Sequence, residues 1–184
     1  IRVLLRKAGQ VTQETRGKAQ SGEVKLDPKN YTVTANGAKV MVYGEVADSI
    51  QGAPQPLSRR PRFNSDADWR AYGERLTAFG KHLLARGVRL AYHHHMGAYV
   101  ETAEDVDRLM SVTGAEVGLL HDTGHVTFAG GDAPTELRKH VARVVHVHCK
   151  DVRPAIARRA RNRGWSFLQS VLKGAFSTPR VGCV

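Results

Sequence analysis

From Ala38 onward, short apolar runs alternate with longer amphipathic stretches, and this alternation limits the fold more than any other feature of the chain. Ala38 to Tyr43 (AKVMVY) is a continuous apolar run of the kind that buried parallel strands carry. Gly44 and Glu45 end it, and a loop rich in Gly, Pro and Arg runs from Gln51 to Asn64. Ser65 then opens a helix, with Asp68 at the spacing of a capping box. Trp69, Tyr72, Leu76, Phe79 and Leu83 recur at three- and four-residue steps as one apolar stripe, and Gly87 stops the helix. Val88 to His93 reads as the next strand. Thr102 and Asp105 open a second helix, with Val106, Leu109 and Met110 as its buried face and Gly114 at its end. Val117 to Leu120 is a third strand. Asp132 caps a third helix, with Pro134 tolerated in its first turn. Arg143 to Cys149 is a fourth strand, and a fourth helix starts at Pro154 and ends before Gly164. The order β-α-β-α-β-α-β-α implies a parallel sheet with helices packed outside it. A barrel segment and an open doubly wound sheet both satisfy that order. No GxGxxG or GxxxxGKS/T follows a strand, so a nucleotide-binding version loses support.

The chain has 184 residues, enough for one domain with a core. A complete (β/α)8 barrel usually needs about 250 residues and rarely fewer than about 200, so a barrel reading implies part of a barrel. Residues 1–35 are polar and without periodicity, and loop or disorder is expected there. Asn30-Tyr31-Thr32 matches a glycosylation sequon, expected to be a chance match because no secretory signal is visible. The formal net charge of +11 concentrates in those first residues and in Arg153, Arg158, Arg159, Arg161 and Arg163, which fit a solvated helix face. No aromatic residues interleave with the basic stretches, which argues against nucleic acid as a partner. No apolar run approaches the roughly 18 residues of a membrane span, and a cytoplasmic protein is expected. The two cysteines, Cys149 and Cys183, form no CxxC pair and fit a reduced compartment. Cys149 lies in an apolar-patterned run and is expected to be a buried, inert thiol.

Polar residues collect at the C-terminal ends of the strands, where parallel α/β folds place their active sites. In His93-His94-His95 alternation puts His93 and His95 on one face and His94 on the other. One such histidine would ordinarily be structural; three in succession give a functional role equal weight. Asp122-Thr123-Gly124-His125 reads most simply as a capping turn. It also brings a hard anionic oxygen and an imidazole to one opening, with Gly124 allowing the turn. His146, His148 and Lys150 share a face, with Val147 and Cys149 on the other. A solvated edge strand would conflict with those apolar residues, whereas burying the imidazoles requires partners. Together the clusters offer mixed imidazole and carboxylate ligands suited to Mn²⁺, Co²⁺, Fe²⁺ or Zn²⁺. A catalytic site needs only three or four protein ligands. Glu45 could add a fourth group or an acid/base; an exposed loop glutamate is an equal reading.

YGEVADSIQG (Tyr43–Gly52), YHHHMG (Tyr92–Gly97), ETAEDVDRLM (Glu101–Met110), DTGH (Asp122–His125), HVHCKDVRP (His146–Pro154) and WSF (Trp165–Phe167) resemble the inosose dehydratases of myo-inositol catabolism. That family sits among the xylose-isomerase-like TIM barrels, with sugar epimerases and endonuclease IV. The resemblance implies a partial (β/α)8 barrel of roughly four to five central βα units over residues 36–184, following a non-matching segment 1–35. It implies a hydro-lyase that dehydrates scyllo-inosose to a trihydroxycyclohexane-dione, with Mn²⁺ or Co²⁺, and with glutathione as a further family cofactor. It places His93 at the first metal position, where relatives usually carry Glu, with Asp122 and His148 at the next two and His125 at a substrate-contacting position. The last family ligand would lie beyond Val184, and a truncated gene or a frame change near both ends is expected. Dehydration beside a ketone needs a Lewis acid, a base and an acid. His125 or Lys150 is expected as the base, and Glu45 or His95 as the acid. The expected partner is a small polyol ketone, with no membrane and with homo-oligomerisation left open. The competing readings are a sugar isomerase or epimerase on the same barrel, a basic nucleic-acid-binding module, and an inactive fragment.

Overall fold

The computed structural model describes residues 38–177 and the backbone of two short strands, β1 (Arg6–Lys7) and β2 (Gln10–Val11), which pair antiparallel. The rest of the segment expected to be irregular lies outside the described residues, as do the sequon and Cys183. Four strands form one parallel sheet: β3 (Val40–Tyr43), β4 (Arg89–His93), β5 (Val117–Asp122) and β6 (Val144–His148). They lie in sequence order. A doubly wound sheet reverses direction at a switch point, and none occurs in these four strands, so the sheet is an arc of a barrel.

The crossovers are α1 (Asp66–Leu84), α2 (Ala103–Val112), α3 (Thr123–Ala129) and α4 (Ala133–His140). After β6 come β7 (Asp151–Val152), α5 (Pro154–Asn162), α6 (Phe167–Leu172) and β8 (Phe176–Ser177), with β7 and β8 paired antiparallel. Among the described residues, no helix is long and apolar enough to cross a membrane.

The caps follow the sequence with one correction. Thr102 and Asp105 make a complete capping box on α2. On α1 the Ser65 hydroxyl accepts the Asp68 N–H, but the Asp68 carboxylate takes the N–H of Asn64 instead of closing the box on Ser65. Asp132 caps α4 through the Thr135 N–H, with Pro134 in the first turn.

Met41, Tyr43, Leu90, Tyr92, Val117 and Leu119 alternate along β3–β5 and bury one sheet face against the stripes of α1 and α2. At Gly73 a β-carbon would stand 2.2 Å from the Val112 carbonyl oxygen, so only glycine lets α1 approach the end of α2 this closely. A second core gathers Met96, Phe128, Val152, Ala157 and Ala160 under Trp165, Phe167 and Phe176.

Two expectations are corrected at β6. Among the described residues its only sheet neighbour is β5, so it is an edge strand after all, and Val147 is 45% exposed. Cys149 is exposed for the same reason, and is not the buried thiol expected.

Candidate metal centre

Asp122 is the last residue of β5 and the N-cap of α3, and it is fully buried. One carboxylate oxygen, Oδ1, accepts the His125 N–H at 3.1 Å. The other, Oδ2, faces the strand ends. His93 Nε2 lies 3.0 Å from it, His148 Nδ1 3.4 Å, His125 Nδ1 3.7 Å, and the Lys150 ammonium pairs with it directly. Burial alone would raise the Asp122 pKa, but the His93 hydrogen bond, the His125 imidazole beside it and the Lys150 ammonium outweigh it and hold the carboxyl well below the usual range.

Register makes this convergence. The β5–β6 ladder pairs Leu119 with Val144 but Leu120 with His146, so β6 carries one extra residue. Without that bulge, Asp122 would face Val147; with it, Asp122 faces His148. Gly118 makes room for the extra residue, because a β-carbon there would stand 2.5 Å from Val145 Cγ2.

The imidazoles pack on one another. His93 stacks on His125, with ring centroids 5.1 Å apart and an 8° interplanar angle, and His95 meets His125 edge-on at 4.3 Å. His125 Nδ1 lies 3.2 Å from the His94 carbonyl oxygen, which can only accept, so this nitrogen carries the proton and Nε2 keeps a lone pair. By the same logic His95 Nδ1 donates to the Met96 carbonyl at 3.0 Å. Desolvation lowers the His125 pKa well below its ordinary value and that of His95 to about 4, so both rings are neutral at pH 7. His148 is lowered by burial and by the His93 and Lys150 charges.

Glu45 stands apart from this group. It is buried, not an exposed loop residue, and accepts the Tyr99 N–H at 3.0 Å. Its other hydrogen-bond partners are Tyr72, Tyr92 and the Val100 N–H, none of which belongs to the cluster. Burial raises its pKa despite these bonds. His146 shares the face of His148, with ring centroids 5.3 Å apart, but is itself exposed.

Two contributors were not legible in the sequence as site residues. The Thr123 hydroxyl donates to the Lys150 carbonyl at 2.7 Å and accepts the Lys150 N–H at 3.1 Å, fixing the chain after β6 to the start of α3. Phe167 packs edge-on against His95 and His125, forming an apolar wall. Thr123 lies inside the DTGH motif and Phe167 inside the WSF motif, but neither motif by itself places its residue beside the imidazoles.

The donor set fits a divalent cation. His93, Asp122 and His125 offer ligand atoms all within 4.8 Å of one another. Two ligands held about 2.1 Å from one ion stand roughly 3.0–3.4 Å apart, the spacing of His93 and His148 from Asp122 Oδ2. The Lys150 ammonium shows that a positive charge is already favoured at that oxygen.

The family described as xylose isomerase-like TIM barrel matches residues 34–173. The rhizopine catabolism protein MocC of Rhizobium meliloti is 49% identical over 149 residues, covering 80% of this chain and 46% of that protein. The inosose dehydratase of Geobacillus thermodenitrificans (strain NG80-2) is 41% identical over 150 residues, covering 80% of this chain and 50% of its own. Among solved structures, IOLI protein with a zinc atom aligns over 64% of this chain and 39% of its own, with 18% identity and a TM-score of 0.48. The chain spans about half the length of the curated relatives it matches. The resemblance read from the motifs is thus met by relatives that bear the inosose dehydratase name, and the family match extends through all four parallel strands. The chain belongs to the xylose isomerase-like TIM barrel family.

Proposed function

We propose that this chain carries the metal-binding half of a cytoplasmic hydro-lyase that dehydrates a polyol ketone, scyllo-inosose, to 3D-trihydroxycyclohexane-1,2-dione. The observation that carries the reading is the convergence of His93, His148 and Lys150 on one oxygen of buried Asp122. The relatives named inosose dehydratase support the substrate. His93, Asp122 and His148 would hold Mn²⁺ or Co²⁺, with His125 alongside. The bound ion would supply Lewis acidity to the ketone oxygen. Glutathione rests on the resemblance alone.

Protonation states divide the remaining roles. His125 is neutral with a lone pair on Nε2, which suits it to take the proton beside the ketone. Lys150 lies on Asp122 as an ammonium, so it holds a proton rather than accepting one. Of the two residues expected as base, Lys150 is therefore assigned here as the donor to the leaving hydroxyl and His125 as the base. His95, neutral and wedged between His125 and Phe167, orients the base. Glu45, bonded among tyrosines, supports the strand ends from the helix side.

A second reading has its own support: the relative at 49% identity is named for rhizopine catabolism, so a rhizopine is the alternative substrate.

The test is metal binding and turnover together. Mn²⁺ or Co²⁺ should raise the thermal midpoint of the purified chain, because a ligand of the native state stabilises it by mass action. Asp122→Ala should abolish that shift and any dione formation at once. An Asp122→Ala chain that still turns over scyllo-inosose would sink the assignment. Turnover of a rhizopine alone would move the substrate and leave the centre in place.

A further inference from the structure

A second group of ligand-type side chains lies between two helices, outside the centre just described. Asp107 on α2 faces Glu136 and His140 on α4, and their ligand atoms all lie within 4.8 Å of one another. Glu136 and His140 are four residues apart and so share one face of α4. His140 Nε2 lies 2.7 Å from Asp107 Oδ1 and 3.8 Å from Glu136 Oε2.

Ion pairing among the described residues does not complete this group. Lys139 pairs with Asp107 Oδ2, which leaves Oδ1 for His140. Glu136 is only 8% exposed, yet among the described residues its Oε2 has no hydrogen-bond partner. Buried carboxylate oxygens are rarely left without a donor or a cation. A second orphan lies below, on the sheet face that α4 covers. His121 on β5 is 2% exposed, its Nε2 also has no hydrogen-bond partner among the described residues, and it lies within electrostatic reach of His140.

We propose that Asp107, Glu136 and His140 form a second divalent-cation site, selective for Zn²⁺ over Mg²⁺, that ties α2 to α4. Two carboxylates and one imidazole are a zinc-type donor set, with water completing the shell. Three ligands on an ion at about 2.0–2.1 Å stand roughly 3.0–3.4 Å apart, so the 2.7 Å and 3.8 Å separations need shifts of well under an ångström. The ion satisfies Glu136 Oε2 and leaves Lys139 on the outer oxygen of Asp107. It lies between two helices and uses none of the strand-end residues, which gives it a structural role.

Zn²⁺ equilibrium dialysis on chelator-stripped protein tests this, with circular dichroism to confirm folding. The strand-end centre is first disabled by Asp122→Asn, or by His93→Gln if the former does not fold. That chain should still bind one equivalent of Zn²⁺ and melt at a higher temperature with it. Adding His140→Gln, or separately Asp107→Asn, should remove both the equivalent and the shift. Millimolar Mg²⁺ should not displace the zinc. No Zn²⁺ binding by the folded strand-end variants would overturn the proposal, as would an equivalent that survives both α2–α4 substitutions. A wild-type chain that binds one Zn²⁺, unaffected by Asp122→Asn but lost with His140→Gln, would uphold this site while overturning the strand-end centre.

Discussion

Strands β5 and β6 are adjacent and parallel, and each ends in ligand-type side chains, yet their surroundings differ sharply. All six residues of β5 are buried, whereas no residue of β6 is fully buried and two of its five are exposed. β5 lies between β4 and β6 and is covered by helices, while β6 has one sheet neighbour among the described residues. The same kind of sequence therefore makes a rigid floor in one place and an open rim in the other. Asp122, on the floor, is fully buried and fixed by its own helix cap; His148, on the rim, has a side chain 36% exposed. The difference teaches that the proposed centre is anchored from β5 and completed from β6.

The largest effect should come from truncating the floor. Leu119→Ala removes a side chain 2% exposed and should cost about 2–5 kcal/mol in urea unfolding. Val147→Ala on the rim, 45% exposed, should stay within about 0.5 kcal/mol. Equal costs would show that β6 is covered in solution and would break the comparison.

Next is the joint between the two strands. Gly118→Ala places a β-carbon 2.5 Å from Val145 and 2.7 Å from the Leu90 carbonyl oxygen. Overpacking of this kind should cost about 1–3 kcal/mol. It should also weaken Mn²⁺ binding more than its stability cost alone explains, because the bulge sets His148 opposite Asp122. Unchanged metal affinity at reduced stability would show that the bulge does not position the ligand.

The smallest effects separate the histidines from Asp122 by pH in the metal-free chain. The folded chain binds the His148 proton less tightly than the unfolded chain does, so this contribution is present above pH 6.5 and is lost as pH falls below it. The Asp122 pKa is depressed too, but from 3.8, so its contribution persists until pH falls below that value. Stability should decline in two steps on acidification, the histidines first and Asp122 second. His94, His95, His121 and His125 are depressed from the same value and share the upper step, so His148→Gln should only reduce it, whereas Asp122→Asn should remove the lower one; two steps that neither variant changes would show that these groups do not set the acid response.

Much of this was legible before the fold was known. The Asp132 and Thr102 caps, the stripe of α1 and the apolar runs of β3–β5 carry strong local periodicity, and each element formed where that periodicity placed it. The elements missed were short. α3 has seven residues and α6 six, too few for a helical stripe to repeat, and β7 and β8 have two residues each. Asp122 shows how two readings can both hold, since it caps a helix with one oxygen and gathers the imidazoles with the other. Cys149 was misread because alternation along β6 predicts a buried face, and only the neighbouring strands decide whether that face is covered.

The order of elements, their lengths to within a few residues and the chemical character of each strand end are local properties, and the sequence determines them through periodicity, capping and turn residues. Which side chains meet is not local. The pairing of Asp122 with His148 depends on one extra residue in β6, lodged over Gly118, and a slip of one residue would replace the imidazole with Val147. The approach of Asp107 to Glu136 and His140 likewise depends on how α2 and α4 lie against β5. Register and helix placement arise from contacts between segments distant along the chain, so the tertiary structure alone decides them.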